Sequence, residues 1–535
     1  MPINRIQSDI LSLLIESKTY VKTQDLSLKL KEHKLSPRTF QNEIKSLIES
    51  GRVAVAGKAS LTSYILQEIQ RSYPSSKFLY VCKDNLVVGL LFEVKGIYRF
   101  YYTSEYLAKY DLAIATIPLQ LEPVDFEKIP AVFEDNFPEG INREIFETTH
   151  KIADEFEMLP RLEDSVGDLC FSKTKEKCEM LEKKGVGYLA SLDEILGKNK
   201  MIELLEGYEI KLGENELFPE SQDLSTLQSL RTEGISGFQY KRFVNIDTQN
   251  KQIIGSDGAG EYILKPYSKL KADVNSEFYF PHIAINEHLH MSFAKNELGF
   301  NAPYSAVVKR EEDDEFHYIV KRFDRFHHTR FAKATFGVFL GLRAENKYDT
   351  TSEKMFTRIA QELLSKKERM SLLKYYLYSV LIVHEDMHTK NLSIIFDDEK
   401  VLLAPLYDIS ATGFYSSAFG YESHLTINGK RNNIRPNDFK ALCKIVNIDF
   451  KEFKEEAHII AKQYRDTMPK YFQELTKLGS IPFYEKKEKR SHGETGKTKM
   501  IIGDEREFVD ILQAFHHKRV EELYKLGWIV EEQII

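Results

Sequence analysis

The chain has 535 residues, 42% of them hydrophobic and 29% charged, with a formal net charge of -7. At ~150 residues per domain this length predicts roughly three or four domains with a sizeable core, and the composition is that of a soluble globular protein. The modest negative charge excludes nucleic-acid binding by the whole surface and leaves only a local basic patch for that purpose.

The four cysteines, Cys82, Cys170, Cys178 and Cys443, form no C-x-x-C and predict buried free thiols in a reducing compartment. The N-terminus "MPINRIQSDI" lacks an apolar signal core. The longest apolar run, near "YYLYSVLIV", is far short of the ~20 residues that cross a bilayer. A cytoplasmic protein with no membrane partner is expected.

The first 66 residues predict three helices and a hairpin. "RIQSDILSLLIES" places Ile6, Ile10, Leu13 and Leu14 on one helical face, and "TQDLSLKLKEH" is a second short helix. In "LSPRTFQNEIKSLIESG", Ser36 suits an N-cap, Pro37 the first helical position and Gly51 the end, with Phe40, Ile44, Leu47 and Ile48 as the buried stripe. "RVAVAGKASLTSYIL" gives two short strands around a Gly-Lys turn. Three helices and a wing resemble a winged helix-turn-helix. Arg38, Thr39, Gln41, Asn42 and Lys45 would face a DNA major groove from the third helix. Ten Lys and Arg against six Asp and Glu in residues 1–66 give this module +4, which fits phosphate contacts. The competing use of such a module is dimerisation or protein contact.

Next, "FLYVCKDNLVVGLLFEVKGIYRFYYTSEYLAKY" alternates apolar and polar residues and predicts antiparallel strands. "FEDNFPEGINREIFE" is a Pro-Gly turn leading into a helix, and Lys173 to Glu214 is charged and helical. "SKLKADVN" and "EEDDEF" are expected to be solvated loops. Residues 485–499 are expected to be a flexible basic surface loop. The "GETGKT" within them is no P-loop, because Ser491 stands where G-x-x-x-x-G-K-[ST] needs its first glycine.

"IVHEDMHTKNLSIIF" fits two chemistries. His384, Glu385 and His388 form H-E-x-x-H, the zinc-hydrolase helix. That assignment needs a helix running through both histidines and a third ligand. Instead, "RMSLLKYYLYSVLIV" ends there, and "TKNLSIIFDDEKVLLAPLYD" turns into strands around an Asp-Asp turn. Alternatively, Asp386 and Asn391 have the D-x-x-x-x-N spacing of a kinase catalytic loop: a base for the substrate hydroxyl and a Mg²⁺ ligand. Asp408 in "LAPLYDIS" follows a short hairpin, in the place of the second metal carboxylate. Upstream, "YILKP" puts Lys265 on a strand, "GISGFQYK" offers Gly234 and Gly237 to phosphates, and "NEHLHMSFAKNELG" is a helix whose Glu287 could pair with Lys265. "HYIVKRFDRF" is a strand and linker in the hinge position. Loop, Lys strand, helix, hinge, catalytic loop and metal Asp follow one another in the protein-kinase order.

Together "ISGFQYK", "YILKP", "NEHLHMSFA", "VKRFDR", "DMHTKNLS" and "LAPLYD" resemble the HipA family of bacterial serine/threonine kinases, the toxins of toxin–antitoxin pairs. "FEDNFPEGINRE" and the strands before it are similar to that family's N-terminal subdomain. The resemblance spans roughly residues 75 to 450. It implies an α+β multidomain chain: residues 1–68 a winged helix-turn-helix, 69–232 the HipA-like N-terminal subdomain with a helical segment, and 233–535 a kinase core. The β-rich lobe would span about 233–325 and the helical lobe about 326–535. It implies Asp386 as base, with His388 and Lys390 near the γ-phosphate, and Asn391 and Asp408 as Mg²⁺ ligands. Ser236, Gly237, Gln239, Lys241, Lys265, Arg322, Phe323 and Tyr407 would form the ATP site. Ser236 would be an autophosphorylation site, although Gly234 stands at the loop's first position, where relatives often have serine.

The expected activity is ATP- and Mg²⁺-dependent phosphorylation of a protein, a tRNA-charging enzyme or another translation component, with inhibition of translation and growth. DNA bound through residues 1–68, an antitoxin and a homodimer are the expected partners. The alternatives are a DNA-binding regulator whose kinase fold only senses nucleotide, and a zinc hydrolase built on His384, Glu385 and His388.

Overall fold

The computed structural model describes the chain except residues 1–2, 18, 31–34, 68–76, 95, 111, 153, 163–164, 181–184, 220–234, 236–238, 257–259, 398–399, 491–497 and 531–535. The chain forms two compact units: Met1–Phe137 with Ile152–Gly185, and Pro138–Lys151 with Val186–Ile535.

The first unit opens with α1 (Arg5–Ser17), β1 (Val21–Lys22), α2 (Thr23–Lys29), α3 (Pro37–Glu49), β2 (Val53–Ala56) and β3 (Ser63–Leu66). Helix α3 starts at its expected signals. The Ser36 hydroxyl accepts from the Thr39 N–H at 3.1 Å, and Pro37 occupies the first position, where an N–H has no helical partner anyway. Gly51 ends it with φ +70°, a conformation that costs glycine little. Phe40, Ile44 and Leu47 are buried from one face of α3. Strands β2 and β3 pair antiparallel, and β1 lies on the other side of β3.

β4 (Lys77–Lys83), β5 (Leu86–Val94), β6 (Ile97–Tyr102), β7 (Val124–Phe126) and β8 (Leu169–Ser172) follow, in a sheet of order β7-β6-β5-β4-β8. Every neighbouring pair is antiparallel; β4 to β6 fall in the alternating aromatic stretch, whose end, Ser104–Lys109, is a short helix rather than a strand because Thr103 caps it through the Tyr106 N–H, while β7 and β8 lie outside that stretch. One apolar cluster joins Ile10, Leu14, Ile44 and Leu66 to Tyr80, Leu90, Phe92 and Tyr101. The expectation of four free thiols fails here. Cys82 on β4 and Cys178 on the helix Lys175–Glu179 are joined as a disulfide, with Cα atoms 5.5 Å apart. The two stand 96 residues apart, so no spacing motif announced the pair. Cys170 and Cys443 are free.

In the second unit β9 (Glu209–Lys211), β10 (Arg242–Asp247), β11 (Gln252–Gly255), β12 (Tyr262–Lys265), β13 (Ser305–Val308) and β14 (His317–Lys321) form a sheet of order β13-β14-β12-β10-β11-β9. Val244, Ile253, Leu264, Val308 and Ile319 are among its core residues. β15 (Arg325–Phe326) and β16 (Thr329–Arg330) make a small hairpin, and β17 (Ala332–Thr335), β18 (Ser393–Asp397) and β19 (Lys400–Leu403) a second sheet. Beyond β17 helices dominate, chiefly Lys366–Leu381, Phe450–Leu475 and Phe508–Leu526. The predicted α+β division into a strand-rich part and a helical part is therefore present.

Two loop expectations are corrected. "SKLKADVN" holds the short helix Lys269–Ala272, because Ser268 caps it through the Lys271 N–H. Of residues 485–499, those described are strand rather than loop: 485–490 lie in β20 (Pro482–Arg490) and 498–499 in β21 (Thr498–Glu507), which pair antiparallel, and 491–497 lie outside the described residues. The core of "GETGKT" lies outside the described residues. Among the described residues no helix is long and apolar enough to cross a membrane.

Candidate active site

The site is assembled from four pieces of the second unit. Lys265 ends β12, beside Tyr318 of β14. The helix Ile283–Asn296 carries Glu287 and is buried from Ala284 to Ala294, so its polar side chains must find partners inside. The helix Lys366–Leu381 delivers the loop that holds Asp386 to Asn391, and Val383 turns the chain with φ +57°. The β18–β19 hairpin returns the chain to Asp408, itself at φ +56°. A non-glycine residue held in that region is the kind of local constraint that functional sites keep.

Lys265 is the centre of a buried ion cluster. Its Nζ donates to Glu287 Oε1 at 2.7 Å, to Glu287 Oε2 at 2.9 Å and to Asp408 Oδ1 at 2.6 Å. Burial pulls the lysine down, but the Asp408 and Glu287 charges outweigh it and raise Lys265 above the usual lysine range. Burial likewise pushes Asp408 up, and Lys265 and Lys241 overcome it, holding Asp408 well below the usual carboxylate range. Glu287 is pushed up to about 7, by burial first and by the Asp408 charge, although Lys265 opposes both. Burial brings Lys241 down to about 8 although Asp408 opposes it.

The loop is knitted by its own atoms. Asn391 Nδ2 donates to the Asp386 carbonyl at 2.9 Å, and the Asn391 N–H donates to the His388 carbonyl at 3.0 Å. The Lys390 N–H donates to His388 Nδ1 at 3.1 Å, so the neutral ring carries its proton on Nε2, which lies 3.9 Å from Asp386 Oδ1. Burial brings His388 down to about 4, against the Asp386 charge, so the ring is neutral at physiological pH. The Asp386 side chain is 53% exposed and opens to solvent. Burial of its surroundings would raise its carboxyl, but His388 and the Tyr348 hydroxyl hold it below the ordinary value.

The cleft thus brings together Asp386, His388, Lys390, Asn391, Lys265 and Asp408. Gln239 is half-buried at the edge of the described loop, and Ser236 and Gly237 lie outside the described residues. The Arg322 N–H donates to the Glu261 carbonyl at 2.8 Å. Its guanidinium binds Asp324 and lies over the Phe243 ring at 3.8 Å. Phe323 packs 5.3 Å from Tyr407, whose hydroxyl donates to the Lys390 carbonyl at 2.7 Å. On α3, Arg38, Gln41, Asn42 and Lys45 are exposed, whereas Thr39 is half-buried with its hydroxyl 2.8 Å from that of Ser36.

The zinc assignment fails on geometry. His384 lies beyond the helix Lys366–Leu381, with Nδ1 2.8 Å from the Ser410 carbonyl. The Glu385 carboxylate accepts the N–H groups of Phe419, Gly420 and Tyr421. Among the described residues no cluster could hold a metal through three His, Cys, Asp or Glu side chains. A pair of hard oxygen donors, Asp408 and Asn391, is another matter: the Asn391 oxygen is left over once its nitrogen serves Asp386, and oxygen donors suit Mg²⁺.

Two partners of the loop were not foreseen. Glu139, just before the helix Gly140–His150, accepts from Lys390 Nζ at 2.7 Å and lies 3.8 Å from Lys347 Nζ. Tyr348 donates its hydroxyl to Asp386 Oδ1 at 2.5 Å. No motif spacing links residues 251 and 38 positions from their partners, so only the fold reveals them.

Comparison with known proteins gives the family and the fold. Residues 234–475 match the family model of the HipA-like C-terminal domain and residues 79–171 that of the HipA N-terminal domain, together more than half of the chain. Two relatives from Sinorhizobium fredii carry the descriptions "Putative kinase Y4dM" and "Putative kinase Y4mE". The first is 31% identical over 94 residues, 17% of this chain and 23% of the relative. The second is 27% identical over 146 residues, 25% of this chain and 34% of the relative. The match therefore spans about a quarter to a third of the length of these curated relatives. Among solved structures, a chain of the Shewanella oneidensis MR-1 toxin–antitoxin complex of HipA, HipB and operator DNA matches with TM-score 0.56 and 16% identity. That match covers 85% of this chain and 100% of that one, and it shows the fold. With both HipA domain models matched in order, the chain belongs to the HipA family.

Proposed function

We propose that the protein is an ATP- and Mg²⁺-dependent serine/threonine kinase that phosphorylates a protein substrate. The observation that carries this is the joining of Lys265, Glu287 and Asp408 in one ion cluster beside a loop that presents a half-exposed Asp386. Asp386 accepts the proton of the acceptor hydroxyl as its oxygen attacks the γ-phosphorus, the bond to the β-phosphate oxygen breaks and ADP leaves. Lys265 and Lys241 supply positive charge for the phosphates. Asn391 and Asp408 would hold Mg²⁺, which neutralises phosphate charge when bound. The His388 Nδ1 lone pair is taken by the Lys390 N–H and its Nε2 carries the proton, which leaves the exposed Asp386 carboxylate to take the proton of the acceptor hydroxyl. A tRNA-charging enzyme or another translation component is the substrate class that the family suggests, with arrest of growth as the outcome and the cytoplasm as the compartment. The Cys82–Cys178 bond runs against a reducing compartment, and a thiol count on protein extracted under acid quench decides that point.

Residues 1–68 serve as a winged helix-turn-helix that binds DNA, by way of Arg38, Gln41, Asn42 and Lys45. An antitoxin and a second copy of the chain are the partners that accompany this reading; the solved structure's complex with HipB and operator DNA supports the antitoxin and the DNA. Ser236 is the autophosphorylation candidate. The test is transfer of γ-³²P from ATP to proteins of a bacterial lysate, with and without Mg²⁺. Mg²⁺-dependent labelling of a discrete protein is expected. Nucleotide binding without any transfer would overturn the kinase reading in favour of a nucleotide-sensing regulator.

A further inference from the structure

Tyr348 belongs to no motif, yet it is the one side chain among the described residues that hydrogen-bonds the Asp386 carboxylate, at 2.5 Å from Oδ1. Its placement is over-determined. The ring meets His388 edge-on, with centroids 5.0 Å apart and planes at 82°, and lies against His424 at 4.1 Å. Its segment is tied to the catalytic loop a second time, because the Thr389 hydroxyl donates to the Lys347 carbonyl at 2.9 Å. A third tie runs through Glu139, which faces both Lys347 and Lys390. A phenol so fixed leaves Asp386 one orientation, with Oδ1 occupied and the exposed part of the carboxylate turned outward.

We propose that Tyr348 is a positioning residue of the phosphotransfer site, fixing Oδ1 of Asp386 so that Oδ2 is presented to the acceptor hydroxyl. This rests on the kinase reading of the same loop. A base that rotates freely spends little of its time aligned, and general-base catalysis depends on hydrogen-bond reach to the proton that is removed. The Tyr348 donor also stabilises the ionised carboxylate, as do His388 and His384 on the same loop and Lys347 beside the tyrosine. Lys271, on the helix Lys269–Ala272, is electrostatically coupled to the same carboxylate.

The test compares the wild-type protein with Tyr348→Phe, which keeps the ring against His388 and His424 and removes only the hydroxyl. With Mg-ATP and a desalted bacterial lysate as acceptor, the variant should lose roughly tenfold in transfer rate, a part of the 10²–10⁴ that a general base contributes. The KM for ATP should stay unchanged. A variant as fast as the wild type, or one that is faster, overturns the proposal, and so does a loss that lies wholly in KM. A second readout needs no turnover. In crystal structures of the two proteins the Asp386 carboxylate should hold one orientation in the wild type and lose it in Tyr348→Phe, and an unchanged orientation overturns the proposal. A wild-type chain that transfers no phosphate would instead count against the kinase reading, and the orientation of Asp386 would still decide Tyr348.

Discussion

Helix α3 and the cleft around Asp386 both gather polar and charged side chains, but they hold them in opposite ways. Lys265 and Glu287 are 5% and 7% exposed and satisfy one another, whereas Lys45 on α3 is 74% exposed and faces Glu49, at 3.6 Å. Buried charges tolerate no change of partner, because a lone charge in low dielectric is costly. Exposed ones are tuned by salt and replaced at little cost to the fold. The cleft therefore should respond to substitution all at once, and the helix by degrees.

The sharpest test of that contrast is Lys265→Met. It should abolish ATP binding and destabilise the protein by up to about 3–5 kcal/mol, since Glu287 loses its partner inside the fold. The loss should be smaller at pH 6 than at pH 8, because Glu287, already pushed up to about 7, can take up a proton. Urea unfolding at the two pH values measures this, and Glu287→Gln added to the lysine change should recover part of it.

A smaller effect is expected at Lys241. Its ammonium, brought down to about 8, is charged below that pH and lost above it. The kcat/KM for ATP should thus fall as pH rises through about 8, and Lys241→Arg should flatten that limb. His388, at about 4, should contribute no inflection near the ordinary histidine value of ~6.5, so that His388→Asn leaves any limb there unmoved.

The mildest changes belong to α3. Arg38→Ala or Lys45→Ala should leave stability within about 0.5 kcal/mol of the wild type. Each should weaken DNA binding across sequences and reduce the salt slope by about 1. A loss of stability comparable to that of the lysine in the cleft would erase the distinction between the two regions.

The same contrast explains what could be read from the sequence. Asp386, Asn391 and Asp408 were legible because their separation is fixed by a local loop and a hairpin of set length. Lys265 and Glu287 followed from strand and helix periodicity in the right order. Ser36, Pro37 and Gly51 marked α3 because caps act over three or four residues. Glu139, Tyr348 and the Cys82–Cys178 pair were not legible: each contact closes a long stretch of chain, and nothing local distinguishes those residues from surface ones. The H-E-x-x-H match misled for a related reason. A motif states residue types, but the helix needed to put His384 and His388 on one face ends at Leu381.

The central claim is that Asp386 is the base of a working phosphotransfer site. Mass spectrometry of the wild-type protein and of Asp386→Asn, each incubated with Mg-ATP and a lysate, tests it most directly. Phosphate on the chain or on a lysate protein with the wild type, and none with a variant that still binds ATP, is the predicted result. Equal phosphorylation by both proteins would contradict the account.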